Sequence, residues 1–125
     1  MPEGYYDNWD KRRQFVSNLI KFDKDQLMEI NAGYLMLISL DLLTLYARPE
    51  FSYLSMRMIR DCIIEKMDYE KIKLLANPKF SYSQMVIIKA GFEKGLSIEQ
   101  VSNYANPDLS FSEMREIMNN SISNN

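Results

Sequence analysis

The chain has 125 residues, of which 46% are hydrophobic, so it is long and apolar enough to form one domain with a hydrophobic core. Its 15 basic and 17 acidic residues leave a net charge of −2, and both signs are spread evenly along the chain. This balance argues against a basic domain dedicated to nucleic acid and against an acidic mimic of DNA.

The sequence has no histidine and one cysteine, Cys62, which excludes an internal disulfide and the commonest transition-metal ligand sets. This cysteine usage is typical of a reducing compartment. The polar N-terminus lacks the apolar segment of a signal peptide, and the most apolar run, residues 33–46, is too short to cross a bilayer. We therefore expect a soluble, cytoplasmic protein with no cofactor, no bound metal and no membrane partner.

In chain order, the first predicted element is a capping helix within residues 1–17 that carries Trp9. A repeat with a period of about 29 residues follows it. It is most visible in the strings "ARPEFSYLSM", "ANPKFSYSQM" and "ANPDLSFSEM". The copies that this period defines are 18–46, 47–75, 76–104 and a half copy with a polar tail, 105–125. A fixed period predicts one domain in which each copy buries its apolar stripe against its neighbours.

Each copy is predicted to hold a long helix and a short helix. In the third copy the long helix covers residues 82–94, with Ser81 as its N-cap, Gln84 as the capping-box partner and Gly95 as its C′ residue. Phe80 and Met85 flank the cap as a hydrophobic staple. The equivalent caps in the other copies are Asp23, Ser52 and Ser110.

The short helix of the third copy is predicted over residues 98–104, with Ser97 as its N-cap and a proline beyond its end. Ser39 and Asp68 are the equivalent caps, and the polar tail "NNSISNN" is predicted to fray. The sequence thus predicts an all-α fold of about eight helices. These would form three and a half helix–turn–helix repeats, stacked as a short solenoid or a compact helical bundle.

The pattern "YANPxFSxxQMxxIxxGFxxGLSxxxVxxYANP" resembles short α-helical repeats in uncharacterised proteins of Gram-positive bacteria, phages and conjugative elements. Residues 76–107 match this pattern closely, whereas 47–75 match in part because Cys62 and Lys66 replace two glycines. Residues 18–46 match only by hydrophobic register. The resemblance implies an origin on a mobile element and a role in interaction or counter-defence, as in anti-CRISPR proteins. It supplies no catalytic residues.

The carboxylates and the cysteine are better explained by structure than by catalysis. Asp23 and Glu113 each have a second carboxylate nearby, but both fit helix capping better than acid–base chemistry. Cys62 shares its repeat position with Gly33 and Gly91, which predicts a small, buried side chain at a close helix contact. We therefore expect that the protein is not an enzyme.

Three groups of residues are candidates for a binding surface. The candidates are an aromatic row (Tyr53, Tyr82, Phe111), members of a basic set (Arg57, Arg60, Lys89) and an N-terminal group (Trp9, Arg12, Arg13). The aromatic row is either exposed for binding or covers the corner of the adjacent copy. The basic set either meets a nucleic-acid backbone or forms a solvated face of ion pairs with the interleaved acidic residues. The N-terminal group is either a partner-binding arm or a cap on the core.

The leading hypothesis is a non-enzymatic module that binds another protein, and the resemblance suggests a host defence nuclease as that partner. One alternative is a nucleic-acid-associated protein that uses its basic helix faces. Another is a structural homo-oligomer in which Trp9 or the C-terminal helix pairs between two chains, because open repeat stacks leave apolar ends.

Overall fold

The structure, a computed structural model, describes the backbone of residues 3–124 and the side chains of residues 10, 11 and 13–124. Over this range it contains eight α-helices, one 3-10 helix at Leu19–Lys21 and no β-strand. The helices are α1 (Glu3–Asn18), α2 (Lys24–Leu35), α3 (Leu40–Tyr46), α4 (Tyr53–Ile64), α5 (Tyr69–Leu75), α6 (Tyr82–Glu93), α7 (Ile98–Ser102) and α8 (Phe111–Ser123). The prediction of an all-α fold with about eight helices is confirmed.

The helices recur with the period of the sequence. The long helices α2, α4, α6 and α8 begin at residues 24, 53, 82 and 111, and the short helices α3, α5 and α7 begin at 40, 69 and 98. The spacing between successive starts is the same in both series and equals the period of the sequence repeat. A side chain in one copy can therefore be compared directly with its equivalent in the next copy.

Most of the predicted caps form. The side chains of Asp23, Ser81, Ser97 and Ser110 each accept a hydrogen bond from the backbone N–H three residues on, and each completes a capping box. The prediction for Asp68 is wrong, because its side chain makes no capping hydrogen bond. Its carboxylate lies 3.8 Å from the ammonium of Lys71 instead.

The long helices α2, α4 and α6 end in one shared geometry. After α6 the N–H of Leu96 donates to the carbonyl of Gly91 and the N–H of Gly95 to that of Phe92, which is a Schellman motif. Gly95 has a φ of +89°, as its predicted C′ role requires. Leu37 and Lys66 fill the same position after α2 and α4 with φ of +61° and +62°, although neither is glycine.

The C-terminal helix is longer than the sequence predicts. The string "NNSISNN" was expected to fray, yet α8 continues to Ser123. Met118 is buried, Ile122 is partly buried against the core, and the hydroxyl of Ser121 donates to the carbonyl of Ile117. The polar side chains of this segment therefore hide an apolar stripe that continues to its last turn.

Two glycines allow a tyrosine to lie against the helix backbone. The hydroxyl of Tyr104 reaches over Gly91 and donates to the carbonyl of Ile87 at 3.0 Å. A Cβ at Gly91 would lie 1.9 Å from that hydroxyl oxygen. Tyr46 covers Gly33 in the same way in the first copy. The second copy replaces both partners, since Cys62 takes the glycine position and the buried Leu75 the tyrosine position.

Glutamines join consecutive copies at two of the three junctions. The side-chain N–H₂ of Gln26 donates to the carbonyls of Pro49 and Phe51 at 3.0 and 2.7 Å. Gln84 donates in the same way to the carbonyls of residues 107 and 109. At the middle junction the equivalent residue is Ser55, whose hydroxyl bonds to Ser52 in its own copy. The long helices pack extensively as the pairs α2–α4 and α6–α8, whereas α4 and α6 touch over a shorter stretch.

Candidate protein-binding surface

The three aromatic residues occupy equivalent places at the starts of three long helices. Tyr53, Tyr82 and Phe111 each follow the capping serine as the first residue of α4, α6 and α8. Their exposed fractions are 39%, 41% and 38%, so each side chain is partly held by the fold and partly open to solvent. The first copy has Lys24 in this position, so the row begins at the second copy.

Arginine side chains flank two of the three rings. The guanidinium carbon of Arg57 lies 5.8 Å from the centre of the Tyr53 ring, and that of Arg115 lies 5.7 Å from the centre of the Phe111 ring. Both distances suit a cation–π contact. In α6 the equivalent residue is Val86. Arg115 was not among the sequence candidates, although its offset of four residues from Phe111 repeats that of Arg57 from Tyr53.

The structure corrects the prediction for Arg60, which is not part of the surface. Its exposed fraction is 8%, and its guanidinium donates to both the carboxylate and the backbone carbonyl of Glu29. Arg57 binds the other oxygen of the same carboxylate at 2.7 Å. Glu29 is itself buried, so the two arginines supply the charge and hydrogen bonds that a buried carboxylate needs.

This ion cluster sits where the other copies are apolar. The residues equivalent to Glu29 are Met58 and Ile87, and both are buried. Burial alone would raise the pKa of Glu29, but the hydrogen bonds and charges of Arg57 and Arg60 outweigh it and lower the pKa below its ordinary value of 4.5. Glu29 is therefore ionised at neutral pH, and the cluster is a structural tie between α2 and α4.

Lys89 is also engaged within the fold. Its ammonium lies 3.5 Å from a carboxylate oxygen of Glu65 and 3.7 Å from one of Glu93. Its side chain is mostly covered, with 17% exposed. The pairing expected with the interleaved acidic residues is thus present for Lys89, whereas Arg57 and Arg60 bind the buried Glu29 instead.

The structure describes the side chain of only one of the three N-terminal candidates. The side chains of Trp9 and Arg12 lie outside the described residues. Arg13 is exposed and borders an open, polar depression with Asp10, Gln14, Ser17 and Asn18. The binding prediction for this group stays untested.

Cys62 is fully buried in the core. Burial raises the pKa of its thiol to about 11, so the thiolate is scarce at neutral pH. The side chain fits the expected role of a small residue inside a helix contact.

One apolar surface escaped the sequence analysis. Six apolar side chains of α1, the 3-10 helix after it, and the end of α2 with its turn are each more than half exposed: Val16, Ile20, Tyr34, Leu35, Met36 and Leu37. Val16, Tyr34 and Leu37 line a groove of about 590 Å³, with Phe15, Ile38 and Leu40 among its other walls. A comparison of the copies could have identified this surface, because the apolar "LML" at 35–37 is replaced by "IEK" and "EKG" in the next two copies.

Comparison with protein-family models, curated proteins and solved structures gives no significant match. Within the described residues, none of the helices combines the length and apolarity needed to cross a membrane.

Proposed function

We propose that the chain is a non-enzymatic helical-repeat module that binds another protein through the row Tyr53, Tyr82 and Phe111. The observation that carries this proposal is the recurrence of a partly exposed aromatic side chain at one position of three successive long helices. Aromatic side chains offer large contact area at a low cost in conformational entropy, and they are frequent anchors of interfaces. Repeat stacks characteristically use such extended surfaces to hold macromolecules.

The state of the basic residues favours a protein partner over nucleic acid. Arg57 and Arg60 bind the carboxylate of Glu29, and Lys89 lies between Glu65 and Glu93. A cation that is already paired with a carboxylate gains little from a phosphate, because it must first give up the partner that it has. The net charge of −2 adds no long-range attraction toward a polyanion.

A host defence nuclease inhibited by a protein of a mobile element is the partner class suggested by the repeat resemblance alone. In that role the module would block the nuclease by occupying its surface and would need no catalytic group of its own.

The test is capture of a partner by tagged variants from nuclease-treated bacterial lysate, with identification by mass spectrometry. The double variant Tyr53→Glu/Tyr82→Glu places two charges in the row and should lose a partner that the wild-type chain enriches. Lys24→Glu is the matched control, because it introduces a glutamate at the equivalent first position of α2, outside the aromatic row. Glutamate in a first helical turn is favourable for the helix dipole, so far-UV circular dichroism should show equal helicity in all three proteins.

Equal capture by the double variant and the control would remove the aromatic row from the proposal. The nucleic-acid alternative is tested with a labelled DNA duplex at low salt. Binding that weakens steeply as the salt concentration rises would favour that alternative.

A further inference from the structure

Each end of the aromatic row carries an arginine, and its centre does not. Arg57 and Arg115 each lie one helical turn beyond the aromatic residue of their helix, whereas Val86 takes this place in α6. Both arginines are exposed, while Val86 is partly buried against the core. The row thus has an apolar centre between two positively charged ends.

The charge of Arg115 is not balanced within the fold. Among the described side chains, no carboxylate forms an ion pair with its guanidinium. Glu113 and Glu116 stand two and one positions away in the sequence, and side chains at those offsets point to different faces of a helix. Glu113 also accepts the backbone N–H of Ser110 in the capping box. Arg115 therefore presents an unpaired charge beside the exposed ring of Phe111.

The other end of the row has a surplus of positive charge, although Arg57 is already bonded. The single carboxylate of Glu29 binds the guanidinium groups of both Arg57 and Arg60, and two positive charges with one negative charge leave +1. Arg60 is buried, whereas half of the Arg57 side chain is exposed, so a partner meets this charge at the row. Asp61 lies a further helical turn from Tyr53 and forms no ion pair with Arg57 among the described residues. The surplus charge attracts an anion over several ångströms while Arg57 keeps its bond to Glu29.

From this pattern we infer that the aromatic row binds an acidic segment of its partner protein, with a carboxylate at each end of a short apolar stretch. This inference rests on the proposed function and names the chemistry of the partner. The helices α4, α6 and α8 pack in that order, and the axes of packed helices lie about 8–10 Å apart, so the two arginines are separated by roughly 20 Å. An extended chain advances ~3.3 Å per residue, which places the two carboxylates about six residues apart. The planar guanidinium of Arg115 matches a carboxylate with two parallel hydrogen bonds.

A nucleic-acid strand fits this charge pattern less well than a protein segment does. Its phosphates recur at every nucleotide, so several of them would face the centre of the row, where Tyr82 and Val86 offer no cation. A protein segment can place its charges at the two ends and apolar side chains between them.

The first part of the test selects peptides from a displayed random library on the immobilised full chain. Peptides of about 12 residues reach ~40 Å when extended, which is more than the length of the row. Sequencing of the retained pool should show Asp and Glu enriched over the input library on either side of an apolar stretch. Arg115→Gln should abolish this enrichment. Lys94→Gln should leave it unchanged, because it removes the same charge from an exposed side chain at the opposite end of α6 from Tyr82.

The second part measures the tightest peptide by fluorescence anisotropy, beside a copy in which its Asp and Glu are changed to Asn and Gln. The amide copy should bind the wild type at least about tenfold more weakly, because the charge-assisted hydrogen bonds to Arg115 are lost. Arg115→Gln should weaken the acidic peptide about tenfold and leave binding of the amide copy nearly unchanged. Glutamine and arginine have similar helix propensities, so the variant should keep the helicity of the wild type.

Tyr53→Ser/Tyr82→Ser separates this inference from the proposed function, because it removes two rings without adding charge. Peptides that lose binding to this variant but show no acidic excess would overturn the inference and leave the proposed function in place. Peptides that this variant retains would contradict the proposed function and the inference together. An acidic excess that persists on Arg115→Gln would overturn the inference, as would a selection that retains no peptide. Oligothymidylate that binds through Arg115 more tightly than the acidic peptide would assign this cation to nucleic acid and overturn it as well.

Discussion

The contact of Tyr104 with Gly91 leads to a prediction about coupled residues. In the second copy cysteine and leucine replace this glycine and tyrosine together. We predict that Gly91→Cys and Tyr104→Leu each destabilise the protein, and that the double variant is more stable than the sum of the two losses allows.

The magnitudes follow from the geometry. A Cβ at Gly91 would lie 1.9 Å from the Tyr104 hydroxyl oxygen and 3.2 Å from a methyl carbon of Val101, so the tyrosine must move. Loss of its buried hydrogen bond costs about 1–3 kcal/mol and the overpacking a similar amount, giving ~2–6 kcal/mol for Gly91→Cys. Tyr104→Leu removes the same hydrogen bond and leaves a void, for about 2–3 kcal/mol. In the double variant the smaller leucine makes room for the new side chain, so a coupling of about 1–3 kcal/mol is expected.

Urea denaturation followed by far-UV circular dichroism gives the four free energies of unfolding in this double-mutant cycle. Gly95→Ala serves as the control glycine, because Gly95 has open space around its Cβ position and is required for its φ of +89°. Its cost should be about 1 kcal/mol and should not change when Tyr104→Leu is added. If the Gly91 and Tyr104 losses add to within ~0.5 kcal/mol, the two residues do not form a coupled pair and the reasoning fails.

Four further predictions concern the buried polar contacts. Glu29→Gln should lower the free energy of unfolding in urea at pH 7 by about 3 kcal/mol, because it leaves the buried guanidinium of Arg60 without a counter-charge. A decrease no larger than that of an ordinary surface substitution would contradict this prediction. The pKa of Glu29 is lowered in the folded state, so the carboxylate contributes fully to the free energy of unfolding above pH 4.5, and this contribution is lost as the pH falls through the folded pKa. The free energy of unfolding of the wild type should therefore decline below pH 4.5, and that of Glu29→Gln should decline less. Gln84→Ala should cost about 1–3 kcal/mol through its capping and inter-copy hydrogen bonds, and hydrogen exchange should speed up at the start of α8 but not in α2. Burial raises the pKa of Tyr104 from 10.0 to about 12, so the neutral phenol contributes fully to the free energy of unfolding below pH 10, and this contribution is lost as the pH rises toward 12. Between pH 9 and 12 the free energy of unfolding should therefore fall less for Tyr104→Phe than for the wild type.

The helix boundaries were predictable because their signals are local. The caps at Ser81, Ser97 and Ser110 act on the backbone three residues away, so the sequence contains both partners. The repeat period then extends a boundary found in one copy to the others. Asp68 shows the limit of this transfer, since it occupies the equivalent N-cap position but its side chain makes no capping hydrogen bond.

The surface was less predictable, because it depends on partners far apart in the chain. Arg60 resembled a surface cation in the sequence, but Glu29, 31 residues earlier, places a buried carboxylate beside it. Comparison of the copies held a clue, since a glutamate in a column of buried methionine and isoleucine requires a positive partner. The partial exposure of the aromatic row depends on how neighbouring copies pack, which the repeat pattern does not determine.

The uneven distribution of glutamine ties has a mechanical consequence. Gln26 and the Glu29 cluster join the first two copies, and Gln84 joins the last two. Across the middle, the ion pair of Lys89 with the half-exposed Glu65, the contact of Lys71 with the ring of Phe92 at 5.5 Å, and the packing of α4 and α5 on α6 take their place. The middle junction therefore holds its neighbours by fewer hydrogen bonds than the other two. Under load, or against a partner of different curvature, we expect the chain to bend there first.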